Sequence, residues 1–154
     1  MQWYGIIILQ TIIIIDKEAD MERTTRYSKK REAILTALRA TKSHPTAEWL
    51  YQALKPEHQD LSLGTVYRNL TLFREQGLIR SVGVVDGHER FDADTSDHTH
   101  FVCTSCHAVI DIPSITAGKQ VEEQVSERYG FRVAHHDLTV FGTCAECMQK
   151  EIKS

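Results

Sequence analysis

This chain of 154 residues has only four cysteines, no apolar run long enough to cross a membrane and no recognisable secretion signal. Its longest apolar stretch, residues 6–15, falls short of the roughly 20 residues that a membrane-spanning helix needs. The N-terminus lacks the basic region and the small-residue cleavage site of a signal peptide. These absences argue against a membrane partner and against an oxidising compartment. We therefore expect a cytoplasmic protein whose cysteines are reduced.

The first twenty residues differ in composition from the rest of the chain. Residues 6–15 are mostly isoleucine, and residues 16–20 are mainly acidic. Three interpretations are open: a membrane-touching segment, an added strand, or translation that begins upstream of the true start. Met21 opens a sequence of ordinary globular character, which favours the third interpretation. We predict that residues 1–20 are an apolar N-terminal extension.

Charge is unevenly distributed along the remainder. Residues 22–92 carry 12 Lys and Arg against 9 Asp and Glu, whereas residues 93–154 carry 5 against 9. A basic first half favours contact with a polyanion there. We predict two small domains, over residues 21–92 and 93–154. A bound metal ion would help to stabilise the second one, because domains of this size have marginal cores.

The four cysteines form two Cys-x-x-Cys pairs, Cys103/Cys106 and Cys144/Cys147, with 37 residues between them. Two thiolate pairs on short turns can present four sulfurs at the corners of a tetrahedron, which is the arrangement of a closed structural zinc site. Two disulfides would require an oxidising compartment, and a redox pair would not require a second one. The spacing therefore predicts structural Zn²⁺ bound by all four cysteines.

The first half has the pattern of three helices followed by a β-hairpin. Ser28, Thr46 and Ser62 precede segments of helical apolar periodicity, as N-cap residues do. Residues 78–92 alternate like two strands around an Asp-Gly turn. This order of elements describes a winged helix-turn-helix, whose third helix would read DNA. The side chains predicted to contact DNA are Ser62, Thr65, Tyr67, Arg68, Asn69 and Arg31.

The second half predicts a small unit of mixed helix and strand. Residues 101–103 and 108–112 form short strands around the first cysteine pair. A helix should run from residue 113 to about 129, followed by strands over 131–133 and 138–141. Exposed strand edges favour pairing with a second copy. The expected fold is thus α+β, with an N-terminal winged helix followed by a zinc-stabilised dimerisation domain.

Histidines and aspartates suggest a second metal site. His98 and His100 lie two residues apart, so both side chains point the same way in an extended segment. Asp92 precedes them, Asp111 follows the first cysteine pair, and His44 lies before the second predicted helix. Such ligands would suit Fe²⁺, Mn²⁺ or Zn²⁺ and would bridge the two domains. Scattered polar surface residues are the alternative, which spacing alone leaves open.

Several motifs together resemble the Fur superfamily of metal-dependent repressors, over about residues 22–150. They are His44-Pro45-Thr46-Ala47, Thr65-Val66-Tyr67-Arg68-Asn69-Leu70, Arg90-Phe91-Asp92, Asp97-His98-Thr99-His100 and both cysteine pairs. The resemblance implies a homodimer that binds palindromic double-stranded operator DNA. It also implies a structural Zn²⁺ and a regulatory Fe²⁺ or Mn²⁺ between two hinged domains. The implied regulatory ligands are His44, Asp92, His98, His100 and Asp111.

Two positions favour the peroxide-sensing branch of that family. Iron-uptake regulators usually have Glu where this chain has Asp111, and Asp where it has Thr99. The branch implies that H₂O₂ reacts with bound Fe²⁺ and oxidises His44 or His98, which weakens the metal site and releases the DNA. Such an oxidation consumes the protein, so we do not expect an enzyme.

Other functions remain as alternatives. Within the family, these are an iron-status repressor and a zinc-status repressor of metal-uptake genes. Asp111 and Thr99 disfavour the first, and the lack of any cysteine beyond the two pairs disfavours the second. A redox enzyme would need one cysteine pair free of metal. A purely structural interaction module would bind no operator.

Overall fold

The structure, a computed structural model, describes residues 29–113 and 117–153. No helix in these two ranges is long and apolar enough to cross a membrane. The predicted extension, the Ser28 cap and the start of the fourth helix lie outside them. In chain order the elements are α1 (29–40), α2 (Ala47–Leu54), α3 (Leu63–Glu75), β1 (Arg80–Val85), β2 (His88–Asp92), β3 (Thr99–Cys103), β4 (Val109–Ile112), α4 (Ala117–Tyr129), β5 (Thr139–Gly142) and α5 (Ala145–Lys153).

Local sequence signals set the ends of α2 and α3. The Thr46 side chain accepts a hydrogen bond from the Trp49 N–H, and Ser62 does the same for Thr65, which confirms both predicted N-caps. At the other end of α3, Gly77 has a φ of 68°. Glycine adopts this left-handed conformation readily, and the next N–H, that of Leu78, bonds back into the last turn of the helix.

Strands β1 and β2 form the predicted antiparallel wing. Asp86 and Gly87 have φ angles of 53° and 77°, as a two-residue type I′ hairpin turn requires. The register places Arg80 opposite Asp92 at the open end of the hairpin. The Phe91 N–H donates to the Pro45 carbonyl at 3.2 Å, so the wing is also tied to the segment that joins α1 to α2.

Helices α1 to α3 and the wing enclose one apolar core. It matches the helical periodicity of the sequence, because each helix contributes residues from one face. The fully buried members are Ile34, Leu38, Ala47, Leu50, Leu61, Val66, Leu70, Phe73, Ile79 and Phe91. A second, smaller cluster joins the wing residue Val85 to Val102 and Val109 of the next sheet. The wing therefore packs on both parts of the molecule.

The second part contains a three-stranded sheet in the order β4-β3-β5. Strand β3 is antiparallel to β4 and parallel to β5, and His100 lies opposite Asp111. The predicted strand over 131–133 was wrong: residues 130–138 have no regular secondary structure. Both edges of β3 are already paired, and Phe131 instead stacks on Tyr129 with ring centroids 5.7 Å apart. Helix α5, at the second cysteine pair, was not predicted.

Candidate metal centres and nucleic-acid interface

The four cysteines converge at the outer end of the sheet. The sulfurs of Cys103 and Cys147 are 3.9 Å apart, and those of Cys106 and Cys144 are 3.8 Å apart. A tetrahedron with metal–sulfur distances of ~2.3 Å has sulfur–sulfur edges of about 3.8 Å. All four are free thiols rather than disulfides. This spacing is the one that a four-sulfur zinc site requires.

Backbone geometry brings the two cysteine pairs together. Cys103 ends β3, and a tight turn follows in which the His107 N–H donates to the Cys103 carbonyl at 3.0 Å. Cys144 immediately precedes α5, and its N–H donates to the Cys103 sulfur at 3.3 Å. Three of the sulfurs belong to buried residues, whereas Cys106 is exposed. The parallel pairing of β5 with β3 delivers the second pair to the first.

The thiols do not share one ionisation behaviour. Backbone N–H groups of Cys106 and Cys144 lower the pKa of Cys103 to about 6. The neighbouring thiols of Cys144 and Cys106 raise the pKa of Cys147 to about 12. The Cys103 thiol therefore ionises readily, whereas the neighbouring thiols disfavour ionisation of Cys147. Four thiolates at this spacing need a cation among them, as a bound Zn²⁺ would provide.

A second cluster lies where the two parts of the molecule meet. His44 comes from the α1–α2 connection, Asp92 from the end of β2, His100 from β3 and Asp111 from β4, while His98 directly precedes β3. One ligand atom from each of the five lies within 4.8 Å of all the others. The structure therefore brings together all five residues that the sequence predicted.

Distances inside this cluster match a coordination shell. The His98 Nε2 atom is 3.1 Å from Asp92 Oδ2 and 3.2 Å from Asp111 Oδ1. The Nε2 atoms of His98 and His100 are 3.0 Å apart. Metal–ligand distances of ~2.1 Å at right angles place neighbouring donor atoms about 3.0 Å apart. Nitrogen and oxygen donors at this spacing fit a divalent transition metal.

Two buried atoms of the cluster support the same interpretation. His44 Nε2 and Asp111 Oδ1 are 2.8 Å apart, yet neither has a hydrogen bond. Although the two atoms are close, no hydrogen bond joins them, so both stay without a hydrogen-bond partner among the described residues. Buried polar atoms normally find a partner, so these two are suited to a shared cation. His44 also has a positive φ of 49°, which is uncommon outside glycine and is frequent at functional sites.

Asp92 is held as a carboxylate. Burial raises its pKa, but the hydrogen bond with His100, the backbone N–H of Asp94 and the charges of His44 and Arg80 together lower the pKa to about 2. A carboxylate that stays ionised well below neutral pH is ready to bind a cation. Thr99, between the two histidines, is buried. Because neighbouring residues of a strand alternate in direction, it lies on the opposite face from them.

Arg80 contacts this cluster, and the sequence had not singled it out. Its Nη2 atom is 2.6 Å from His98 Nδ1 and 3.0 Å from His98 Nε2, and its Nε donates to Asp92 Oδ2 at 3.4 Å. The available signal was an arginine at the first position of an otherwise apolar strand. The Asp-Gly turn alone would place Ser81 opposite Asp92, and an irregularity between Ser81 and Gly83 shifts the register so that Arg80 takes this position.

The predicted DNA-contacting side chains lie mainly at the start of α3. Tyr67 and Arg68 are exposed, and Arg68 Nη2 donates to Thr65 Oγ1 at 3.0 Å. Ser62 is exposed and caps the helix, with its hydroxyl 2.9 Å from that of Thr65. Hydroxyls and a guanidinium at a helix start are groups that bind phosphates and base edges. Of the other two predictions, Arg31 is half-buried on α1.

Asn69 corrects the prediction for this surface. The residue is fully buried, and its Nδ2 donates to the Thr65 carbonyl at 2.8 Å. It lies three residues after Val66, so it shares the inward face of the helix rather than the outward one. Glu48, which was not predicted, accepts a hydrogen bond from the Tyr67 hydroxyl. That bond lowers the pKa of Glu48 and raises the pKa of Tyr67.

Large apolar side chains remain exposed on the second part of the molecule. Phe141 of β5 is 66% exposed, and Val140 beside it is 42% exposed. Others lie on α4, on the segment after it and on β4: Val121, Tyr129, Phe131 and Ile110. Exposed apolar surface of this kind usually marks a contact with another protein chain.

Comparisons with known proteins agree with these features. The sequence pattern of the ferric uptake regulator family matches residues 22–141. The peroxide operon regulator of Bacillus subtilis is 39% identical over 132 residues, which cover 84% of this chain and 89% of that protein. The peroxide-responsive repressor PerR of Staphylococcus saprophyticus is 35% identical over 127 residues, covering 81% and 84% respectively.

Solved structures give the same result. The peroxide stress regulator of Campylobacter jejuni superimposes with a TM-score of 0.69 at 27% identity, covering 88% of this chain and 98% of that one. The ferric uptake regulator of Helicobacter pylori superimposes with a TM-score of 0.70 at 20% identity, covering 91% and 93%. The second likeness is evidence for the fold alone. The predicted winged helix followed by a dimerisation domain is confirmed.

Proposed function

Since the chain belongs to the ferric uptake regulator family, we propose that it is a metal-dependent transcriptional repressor that releases its operator in response to peroxide. One observation carries the proposal: five nitrogen and oxygen donors from two parts of the molecule converge within 4.8 Å of one another. A repressor of this kind is a regulator and not an enzyme. The name of a relative, the peroxide operon regulator of Bacillus subtilis, supports the same role.

Each cluster has its own metal in this proposal. The four cysteines hold structural Zn²⁺, because soft thiolates at tetrahedral spacing favour it. The regulatory site holds Fe²⁺ or Mn²⁺, since imidazole and carboxylate donors suit these ions. The regulatory ligands are His44, Asp92, His98, His100 and Asp111. The zinc site keeps β3 in place, and β3 in turn carries His100 into the regulatory site.

Metal occupancy controls DNA binding through the relative position of the two domains. His44 and Asp92 belong to the predicted domain 21–92, and His98, His100 and Asp111 to the predicted domain 93–154. An ion that binds both groups at once stabilises the arrangement in which they meet. In a homodimer, that arrangement fixes the separation of two α3 helices, as a palindromic double-stranded operator requires.

Peroxide sensing is the finer part of the proposal. Fe²⁺, when bound, supplies the redox chemistry by which H₂O₂ adds one oxygen to the ring of His44 or His98 and leaves water. An oxidised imidazole is a poorer ligand, so the domains are no longer held together. A cleft of about 410 Å³ lined in part by Asp92 and Asp111 gives a small molecule access to the site. We place the protein in the cytoplasm, because both Fe²⁺ and the operator DNA are found there.

Asp111 distinguishes this proposal from an iron-status repressor. The Asp side chain is one methylene shorter than that of Glu, and from β4 its Oδ1 atom lies 2.8 Å from His44 Nε2. Thr99 also fits, because it is buried and adds no carboxylate to a further site between the two histidines. A zinc-status repressor is the weaker alternative, since the four cysteines of the chain all belong to the structural site.

The decisive experiment measures operator binding before and after a low dose of H₂O₂. The operator is selected in vitro from random double-stranded DNA with the Mn²⁺-loaded chain. Fe²⁺-loaded and Mn²⁺-loaded protein are compared, and the His44 and His98 peptides are weighed by mass spectrometry. We expect only the Fe²⁺ form to release DNA, with one peptide gaining one oxygen.

Asp111→Glu is the matched variant for this experiment. We expect it to keep metal-dependent DNA binding and to lose much of the peroxide response. If both metal forms hold DNA and no oxygen is added, the protein is a metal-status regulator. An equal peroxide response in the variant would show that Asp111 does not set the branch. Failure to bind any operator with either metal would reject the repressor function itself.

A further inference from the structure

Arg80 lies against the regulatory metal cluster in a position that no ligand role explains. It opens β1, the first strand of the wing, and its side chain is only 18% exposed. The guanidinium contacts two of the five proposed ligands, His98 and Asp92, and it also donates to the Ser96 carbonyl at 2.7 Å. A cation is therefore already built into a site that is proposed to bind another one.

The contact with His98 involves the atom that would bind a metal. Arg80 Nη2 is 3.0 Å from His98 Nε2, and this nitrogen is also the one that faces Asp92, His100 and Asp111. Nη2 is also close to the other ring nitrogen, so it lies against the ring rather than along the lone pair of either nitrogen, because the two lone pairs point away from each other in the ring plane. Arg80 therefore does not use the Nε2 lone pair, but it holds a positive charge close to the nitrogen that would bind a metal ion.

A second contact affects the tautomer of the same ring. His98 Nδ1 lies 3.0 Å from the Ser96 carbonyl, and donation to it would leave Nε2 unprotonated and ready for a metal. Arg80 Nη2 is also 2.6 Å from Nδ1, and it reaches the same carbonyl. The Ser96 carbonyl therefore holds the guanidinium beside the ring, so its charge stays close to the nitrogen that would bind a metal ion.

The positive charge of Arg80 balances negative charge in the cluster. Asp92 and Asp111 place two carboxylates around His98 Nε2 at 3.1 and 3.2 Å. Two carboxylates so close together in a largely buried site repel each other unless a positive charge is near. Arg80 supplies one positive charge, whereas a divalent ion supplies two. Because like charges repel, a guanidinium beside two of the proposed ligands lowers the affinity of the cluster for a metal cation.

We propose that Arg80 is a built-in competitor that sets the metal concentration at which the regulatory site fills. This rests on the proposed function, because it concerns the same five ligands. The positive charge of the guanidinium opposes the binding of a second cation, and because Arg80 opens β1, the wing strand takes part in setting this affinity.

The test is direct titration of Mn²⁺ into the full chain with zinc at its cysteines, with free Mn²⁺ measured by electron paramagnetic resonance. Arg80→Met keeps a long side chain and removes the charge and the donors. We expect it to bind Mn²⁺ at least about tenfold more tightly, as a nearby charge changes ionic equilibria by one to three decades. Arg80→Lys keeps the charge, so its affinity should stay near that of the parent.

Thermal unfolding without Mn²⁺ provides a second measurement. Arg80→Met should unfold at a lower temperature than the parent, because its two carboxylates lack a counter-ion, and Mn²⁺ should remove that deficit. Arg74→Met is the control, since Arg74 lies near the same wing but pairs with Glu89 at 3.0 Å. Its Mn²⁺ affinity should not change. An equal gain in this control would mean that overall charge is responsible, and would overturn the proposal.

Further outcomes separate this proposal from the proposed function. Unchanged or weaker Mn²⁺ binding by Arg80→Met would overturn the competitor role, because it would mean that Arg80 is irrelevant or merely orients His98. His100→Ala tests the site itself and should abolish high-affinity Mn²⁺ binding. If the parent binds no Mn²⁺, or His100→Ala binds as well as the parent, the five-ligand site fails and this proposal fails with it.

Discussion

Adjacent residues Arg68 and Asn69 on α3 have different roles in the structure, although both are polar and both were predicted to contact DNA. Arg68 is exposed and donates to Thr65 one turn earlier, so its guanidinium can exchange that bond for a phosphate or a base edge. Asn69 is fully buried and bonds to the backbone of the same residue. Side-chain direction decides which of the two can reach a partner.

We expect Arg68→Ala to weaken operator binding by about 1–3 kcal/mol without changing stability. Asn69→Ala should have the opposite profile: a loss of about 1–3 kcal/mol in unfolding free energy, because a buried hydrogen bond is removed. Fluorescence anisotropy over a salt series and chemical denaturation measure the two effects. A salt slope that falls by about one for Arg68→Ala would assign it to a phosphate. A stable Asn69→Ala protein with weakened DNA binding would contradict this division.

Residue identity could be predicted better than residue environment. The four proposed zinc ligands were identifiable from cysteine spacing, whereas the five proposed regulatory ligands were identifiable as a set only through the family resemblance. Asn69 was misassigned because a polar residue on a helix is usually exposed, and its bond to Thr65 is invisible in the sequence. Arg80 was missed because its significance depends on which residues lie beside it.

At the scale of elements, the two cysteine pairs follow two strands, β3 and β5, that are paired with each other. Cys103 ends β3 and Cys106 lies in the turn after it, while Cys144 immediately precedes α5 and Cys147 lies in its first turn. The apolar cluster at this end consists of the cysteines themselves with Phe101 and Ala108 around them. Zinc therefore contributes binding free energy where the buried cluster consists of cysteines alone.

Cys144→Ser should lose zinc and unfold the second domain or make the protein monomeric. Loss of one ligand from a closed site removes a large part of its folding free energy, commonly several kcal/mol. Zinc content by atomic emission and mass by light scattering measure the result. Glu146→Gln is the control, because this exposed residue lies inside the same pair and should leave both unchanged. A zinc-loaded dimer of Cys144→Ser would disprove the structural role.

Elements with strong local signals could be predicted, and those fixed by distant pairing could not. The caps of α2 and α3 and the Asp-Gly turn of the wing each depend on a few adjacent residues. Residues 131–133 are β-prone in sequence but lie outside the sheet, which consists of β4, β3 and β5. Which segments pair in a sheet depends on contacts between distant parts of the chain.

At the scale of the whole molecule, the proposed regulatory site joins the winged-helix part to the part that contains the three-stranded sheet. Two of its ligands lie on the winged-helix part and three on the sheet that follows, with His44 and Asp111 in contact at 2.8 Å although they are far apart in sequence. Spacing alone could not establish this bridge, because it depends on how the two parts pack. The family resemblance predicted it, and the structure brings the ligands together.

Mn²⁺ should therefore stabilise the whole molecule rather than one domain. At a hundredfold excess over its dissociation constant, an ion bound only to the folded state adds about 2.7 kcal/mol, which corresponds to a rise of roughly 5–10 °C in Tm for a protein of this size. Circular dichroism melting with and without Mn²⁺ measures it. His100→Ala should lose the rise, while the exposed His88→Ala should keep it. An equal rise in both variants would place the ion elsewhere.

The parallel pairing of β3 with β5 has a consequence for how each chain is made. All residues of the winged-helix core leave the ribosome before the second cysteine pair exists, and β3 has no parallel partner until residue 142 is added. At ~5–20 residues per second, the 37 residues between the cysteine pairs take about 2 to 7 seconds to synthesise. Each nascent chain therefore completes its helix-turn-helix seconds before it can close the zinc site. During that interval, the winged helix proposed to bind DNA is present without the zinc-stabilised domain that is proposed to make DNA binding depend on a metal ion.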